Sequence, residues 1–231
     1  MLKTIKVLTY NIRHGLGMDK RVSLERIAWI ILSTQVHLCG LQEVDKHNPR
    51  SALIHQAKEL ARLCGMYYAF GGNVKAGPIA YGNAVLSSFP IVSYRNYPLP
   101  GTGEKRGLLG AEIKANGKRI SFFTTHLGLN AEQRLEQAGR IREITDSSRG
   151  QVILTGDFNE EKKGPAVKLL LKDKSLINCL PNKGSVYTYP SIEADKHIDF
   201  IMAAKHCKVR SAKVIQSLAS DHLPYLVELR L

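Results

Sequence analysis

The sequence predicts a single α/β domain in which strands outnumber helices. Short runs rich in Val, Ile, Phe and Tyr recur along the whole chain, and a few longer stretches between them carry helical periodicity. The 231 residues hold no Gly/Ser linker, Pro-rich tract or internal repeat that would divide them into units.

Taken in order, strands are predicted over 5–10, 36–42, 67–70, 83–87, 91–97, 108–115, 119–125, 152–155, 198–203, 208–216 and 225–229. The dipeptide Asn116-Gly117 is the strongest local hairpin signal in the chain. Helices are predicted over 24–34 behind Ser23, 52–64 between Ser51 and Gly65, 131–146 behind Asn130, and 165–172 with Pro165 in the first turn. Asn130 followed three residues later by Gln133 has the form of a capping box. Two Gly-rich segments, 71–82 and 98–107, and the aperiodic stretch 178–196 are expected to be loops of the kind that carry function on a rigid scaffold.

Composition narrows the class. The longest apolar run, 27–32, is far short of the roughly 20 residues of a membrane span, and the segment after Lys3 and Lys6 is too short for a signal sequence. The protein is therefore expected inside the cell, in the cytoplasm. Cys39, Cys64, Cys179 and Cys207 show neither a CxxC pair nor a short metal spacing, which points to free and at least partly buried thiols. A net charge of +13 with pI near 9.7 favours anionic partners, nucleic acid or an acidic lipid surface. The basic residues are scattered apart from modest clusters such as Lys162-Lys163 and 205–213, so a generally basic surface accounts for the charge equally well.

Chemistry is concentrated in short polar motifs that close apolar runs: TYN at Asn11, LQE at Glu43, TTH at His126, GDFN at Asp157 and Asn159, ID at Asp199, and SDH at Asp221 and His222. Carboxylates delivered by distant strands to one rim repel each other unless a hard cation sits among them, which outlines a metal-assisted hydrolase. Glu43 ends an almost wholly apolar stretch, Asp199 lies within one, and Asp221 adjoins an imidazole that it can help to orient. Each motif also has an ordinary explanation: a turn asparagine, a solvated rim carboxylate, a core histidine, an Asx-turn, a turn closed by Pro224. Arg106 and Asn83 are candidate substrate-phosphate contacts, and a surface arginine and a turn asparagine explain them as well.

The order and context of these motifs, together with the stretches YGNAVLSSFPI, EKRG and TYPS, resemble the endonuclease/exonuclease/phosphatase superfamily of deoxyribonuclease-I-like proteins, and within it the short bacterial metal-dependent hydrolases. The resemblance spans nearly the whole chain as one domain. It implies a four-layer α/β/β/α sandwich, with two mostly antiparallel sheets packed face to face, helices outside, and the site at one end of the sheets. It also implies Mg²⁺, or Mn²⁺, held chiefly by Glu43 with Asn11 and Asp221 beside it. Asp157 would then position or activate water or protonate the leaving group, Asn159 hold nucleophile and phosphate, His126 neutralise the phosphoryl group, His222 act as base or phosphate ligand, and Asp199 orient His222.

Departures from subfamily patterns bear on substrate. Abasic-site endonucleases carry a tyrosine-bearing segment where TTHLG stands here, and inositol 5-phosphatases carry a longer signature where this chain has Lys196-His197-Ile198-Asp199-Phe200. The His126 motif is shared with nuclease-like and sphingomyelinase-like members. The expected activity is hydrolysis of a phosphodiester, in nucleic acid or in a phospholipid-like head group. The alternatives are a phosphomonoesterase of the same fold and a non-catalytic nucleic-acid-binding relative, although the latter should lack a site residue and none is missing. Exposed apolar loops suited to lipid are poor, with 77–81 short and 186–190 only partly apolar, and no interleaving of aromatic and basic residues marks a single-strand stacking groove.

Overall fold

Strands buried on both faces need a layer on each side, and several segments of this chain have that property. Ile5–Asn11 (β1), Leu38–Lys46 (β2), Lys118–His126 (β7) and Gln151–Asp157 (β8) are buried along most of their length. The computed structural model describes residues 4–115, 117–181, 184 and 186–231, with the backbone alone for Lys174. The remaining strands are β3 (Tyr67–Ala76), β4 (Ile79–Ser87), β5 (Ile91–Pro98), β6 (Gly107–Ala115), β9 (Leu176–Asn178), β10 (Asp199–Ala204), β11 (Lys208–Val214) and β12 (Tyr225–Arg230). The helices are α1 (Leu24–Thr34), α2 (Gln56–Cys64), α3 (Ala131–Asp146) and α4 (Pro165–Leu170).

Two six-stranded sheets result, in the orders β11-β12-β1-β2-β4-β3 and β5-β6-β7-β8-β10-β9. Each has a single parallel pair, β1 with β2 and β7 with β8, and its other neighbours are antiparallel. A parallel pair needs a crossover, and α1 and α3 supply the two. Three apolar clusters define the layers: one between the sheets around Val7, Phe122 and Ile201, one under α1 and α2 around Ile27 and Leu60, and one under α3 and α4 around Ile141 and Phe158. The chain is thus the four-layer sandwich implied by the motifs.

Helix ends follow their caps. The Ser23 hydroxyl accepts from the Arg26 amide and Asn130 Oδ1 from the Gln133 amide at 3.0 Å. The reciprocal half of the capping box is not made, because the Gln133 side chain donates to the Thr102 hydroxyl instead. The second helix starts at Gln56 behind His55, not at residue 52 behind Ser51. Residues 49–51 form a separate 3₁₀ turn capped by Asn48, and the left-handed Ala52 and Leu53, φ 55° and 60°, stop it from continuing. The fourth helix ends at Leu170, and a 3₁₀ turn follows it.

The main correction concerns 71–82. This expected loop is the body of the β3–β4 hairpin, whose ladder pairs Gly71 with Asn83 and Ala76 with Ile79. Its glycines lack the side chains that mark a strand, yet they keep the extended path. Strand β9 is a further addition, only three residues long and too short to show a period. The turn residue Asn116 lies outside the described residues, and Ala115 pairs with Lys118 across it.

Candidate active site

Parallel strands that run in one direction end at one rim. Asn11 closes β1, and His126 and Asp157 close β7 and β8 as register partners. Asp199 opens the antiparallel β10 opposite Asp157. Beneath this rim the sheets approach closely, since a Cβ on Gly40 would stand 2.1 Å from the Thr155 hydroxyl and 2.8 Å from that of Thr124, both in the facing sheet. Gln42 fills the same layer by donating to the Thr124 hydroxyl at 2.8 Å.

Glu43 reaches the site through a bulge. The β2–β4 ladder breaks between Leu41 and Val44, and Glu43 has φ 58°, which is costly for a residue with a side chain and re-aims its carboxylate toward the cleft. Gly156 is required beside Asp157, because a Cβ there would meet the Thr125 carbonyl oxygen at 2.3 Å. Asp157 is the hub. Asn11 Nδ2 donates to its Oδ2 at 3.1 Å and to Glu43 Oε1 at 3.0 Å, while His126 Nε2 and His222 Nε2 lie 3.4 and 3.6 Å from the same Oδ2. The Asn159 amide donates to Asp157 Oδ1 at 2.9 Å.

Asn159 Nδ2 donates both to the Leu127 carbonyl and to His126 Nε2, each at 3.0 Å, so neutral His126 carries its proton on Nδ1. His222 Nδ1 is 2.9 Å from Asp199 Oδ2, which leaves Nε2 facing Asp157. Asp221 Oδ2 pairs with Arg13 Nε at 3.4 Å, and Ser220 links this loop to β1 by donating to the Asn11 carbonyl at 2.8 Å.

The two imidazoles are driven apart electrostatically. Burial strips water from His126 and, although Asp157 opposes it, Arg106 adds to the effect and its pKa falls to about 4. Burial also works against charge on His222, but the carboxylates of Asp199 and Asp157 outweigh it and raise its pKa to about 10. Burial raises Glu43 as well, with Asp221 and Asp157 adding like-charge repulsion, while the Asn11 bond and the charge on His222 oppose it.

A cleft of about 570 Å³ opens over these residues and is also lined by Tyr81, Glu104, Arg106, Tyr189 and Lys196, with Leu129 and Ile198. The motifs therefore bring together Asn11, Glu43, His126, Asp157, Asn159, Asp199, Asp221 and His222, with Arg106 on the wall. Asn83 is elsewhere: it is buried and donates to the Gly107 carbonyl at 3.0 Å, so it ties down the residue after Arg106 and does not line the cleft. Tyr81 and Tyr189 were not predicted as lining residues. They lie in YGN and TYPS, stretches that stood out in the sequence, but nothing local assigns their rings to the cleft.

The donor set suits a hard cation. Glu43 is a half-buried carboxylate with a hydrogen bond from Asn11 and two carboxylate neighbours, a repulsion that a divalent ion offsets. Asp157, Asp199 and His222 also cluster, with ligand atoms within 4.8 Å of one another. Asp199 and His222 of that group are already bonded to each other, whereas Glu43 has a neutral amide as its hydrogen-bond partner and is repelled by Asp221 and Asp157. Asn11 turns its amide nitrogen to the carboxylates and its oxygen to the Arg13 amide, bridging carboxylates rather than presenting an oxygen to the ion.

The geometry has counterparts among known proteins. Residues 8–222 match the model of the Endonuclease/Exonuclease/phosphatase family. The uncharacterized protein YbhP of Escherichia coli is 31% identical over an alignment of 170 residues that covers 68% of this chain and 67% of that protein. The endonuclease/exonuclease/phosphatase structure from Beutenbergia cavernae superposes with a TM-score of 0.83 at 22% identity, spanning 99% of this chain and 72% of that one. The mannosyl-6-phosphatase Bt3783 of Bacteroides thetaiotaomicron gives 0.81 at 20% identity, over 98% and 100% of the two chains. With the four-layer sandwich, the motif order and the family match all running through the rim around Asp157, this chain belongs to the endonuclease/exonuclease/phosphatase family.

Proposed function

We propose that the protein is a Mg²⁺-dependent phosphodiesterase, with Mn²⁺ as a workable substitute, that cleaves its substrate by in-line attack of water. The observation that carries this reading is the convergence of Asn11, His126 and His222, from separate strands and a loop, on the single carboxylate oxygen Asp157 Oδ2. When bound at Glu43 and Asp221, the cation offsets charge on the phosphoryl oxygens and leaving group. Asp157 faces the reaction space with both histidines in reach and takes the proton of the attacking water. His222, kept positive by Asp199 and Asp157, stabilises the phosphoryl oxygens and supplies a proton to the departing oxygen. Asn159 and Arg106 hold the phosphoryl group. Burial and Arg106 keep His126 neutral, and an arriving anion raises its pKa and makes it a donor.

Arg106 and Lys196 at the cleft favour a second reading, a phosphomonoesterase, because a dianion needs more positive charge than a diester. The likeness to a mannosyl-6-phosphatase fold is consistent with that reading. Hydrolysis of bis(p-nitrophenyl) phosphate against p-nitrophenyl phosphate separates the two. With Mg²⁺ the diester should be cleaved faster, and EDTA, Asp157→Ala or Glu43→Ala should each lower the rate by several orders of magnitude with the fold intact. A faster rate on the monoester selects the phosphatase, and wild-type rates in both variants remove these carboxylates from the chemistry.

A further inference from the structure

The outer face of the second sheet carries a groove of about 920 Å³, bounded by β5, β6, β7, the C-terminal half of α3 and the turn before β8. Arg119 in this groove and His126 in the cleft lie seven residue steps apart along β7, roughly 23 Å at about 3.3 Å per residue. Five cations line it: Arg95, Lys114, Arg119, Arg140 and Arg149, contributed by five separate parts of the chain. Only two carboxylates, Glu112 and Glu143, accompany them.

The pairing within the groove is incomplete. Arg140 is bonded to Glu143 at 2.7 Å, and Arg119 stands 3.9 Å from a Glu112 whose other oxygen already accepts from Ser121. Arg95, Lys114 and Arg149 make no ion pair among the described residues. Neutralising the end of α3 does not explain them, since the last turn of that helix carries no basic residue and the cations come mostly from strands. An aromatic surface accompanies the charge, with the Arg95 guanidinium 5.0 Å above the ring of Tyr97, which also lines the groove. Both belong to the edge strand β5, two residues apart and so on one face of it.

We propose that this groove binds single-stranded nucleic acid, with Arg119, Arg149, Lys114 and Arg95 on successive phosphates and a base stacked on Tyr97. Unpaired arginines beside an aromatic ring are the elements of a sequence-tolerant single-strand site. The inference stands apart from the catalytic reading, because binding here requires no turnover.

The test is fluorescence anisotropy of labelled dT20 in EDTA, titrated at several salt concentrations, with wild type and the double variant Arg119→Ala/Arg149→Ala. The variant should bind at least tenfold more weakly at equal thermal midpoint, and its slope of log K against log[salt] should be shallower by about 1.4, two phosphates at roughly 0.7 each. Tyr97→Leu should weaken binding about tenfold and Tyr97→Phe should restore it. Hydrolysis of bis(p-nitrophenyl) phosphate should be unchanged in the double variant. Equal affinity and slope in wild type and the double variant, or no binding of dT20 by either, overturns the proposal. So does binding to phosphatidylserine vesicles that depends on these arginines while dT20 binding does not.

Discussion

At the scale of single residues, Asp199 matters through the proton it keeps on His222. It is fully buried, one of its oxygens meets His222 Nδ1 at 2.9 Å, and the other has no partner among the described residues. A carboxylate in that state is tolerable because its charge faces an imidazolium. Asp199→Asn keeps the shape and removes the charge, so His222 loses much of its proton affinity. The proposed reaction should slow by roughly 10²- to 10⁴-fold in kcat, the usual worth of general acid-base assistance, with KM little changed. Steady-state kinetics on the chromogenic diester measure this, and a wild-type kcat would take His222 out of proton transfer. That Asp199 needs a histidine partner was legible from a carboxylate within an apolar strand, and that the partner is His222 followed from the family resemblance. Arg13 was not legible: its link to Asp221 depends on a left-handed turn, φ 44°, that no local motif announces.

The elements set how closely these residues approach. Gly40 has no conformational reason to be glycine, and its value lies in the contact that β2 makes with β7 and β8 across the sandwich. Gly40→Ala puts a methyl group where the hydroxyls of Thr155 and Thr124 stand and pushes the sheets apart under Glu43. Overpacking of this kind costs about 1–3 kcal/mol, seen as a lower denaturant midpoint, and activity should fall further than stability alone accounts for. An unchanged midpoint would mean that the two threonines rotate away freely. Strands such as 119–125 and 152–155, and the helix behind Asn130, were legible because pattern, cap and burial agree. The β3–β4 hairpin was misread for a physical reason: its glycines allow close backbone passage, as at Gly82 where a Cβ would lie 2.0 Å from the Gly71 carbonyl oxygen, and the same glycines erase the alternation that identifies a strand. The sheet order could not be read locally, since β12 pairs with β1 from the far end of the chain.

For the whole molecule, the imidazoles couple stability to pH in two directions, and the cation-free protein in EDTA displays both. His126 and His197 are each lowered to about 4, in both cases first by burial, and His197 is further packed against Phe200 with its Nε2 lacking a partner among the described residues. A histidine whose folded pKa lies below its unfolded value of about 6.5 contributes fully above that value, and its contribution is lost as pH falls toward 4. His222 has the opposite sign. Raised to about 10, it contributes fully below about 6.5, and its contribution is lost as pH climbs to 10. Glu43, raised by burial and by its carboxylate neighbours, is relieved by protonation and softens the acid side. The thermal midpoint should therefore peak near pH 6.5 and fall on both sides, and 1 kcal/mol moves it by about 2–4 °C in a chain of this size. His197→Phe preserves the stack on Phe200 and removes one titration, so its acid limb should flatten while its alkaline limb stays as in wild type. If the wild-type midpoint were level from pH 6.5 to 10, His222 would not be held positive by Asp199 and Asp157, and the proton it supplies in the proposed reaction would have to come from another group.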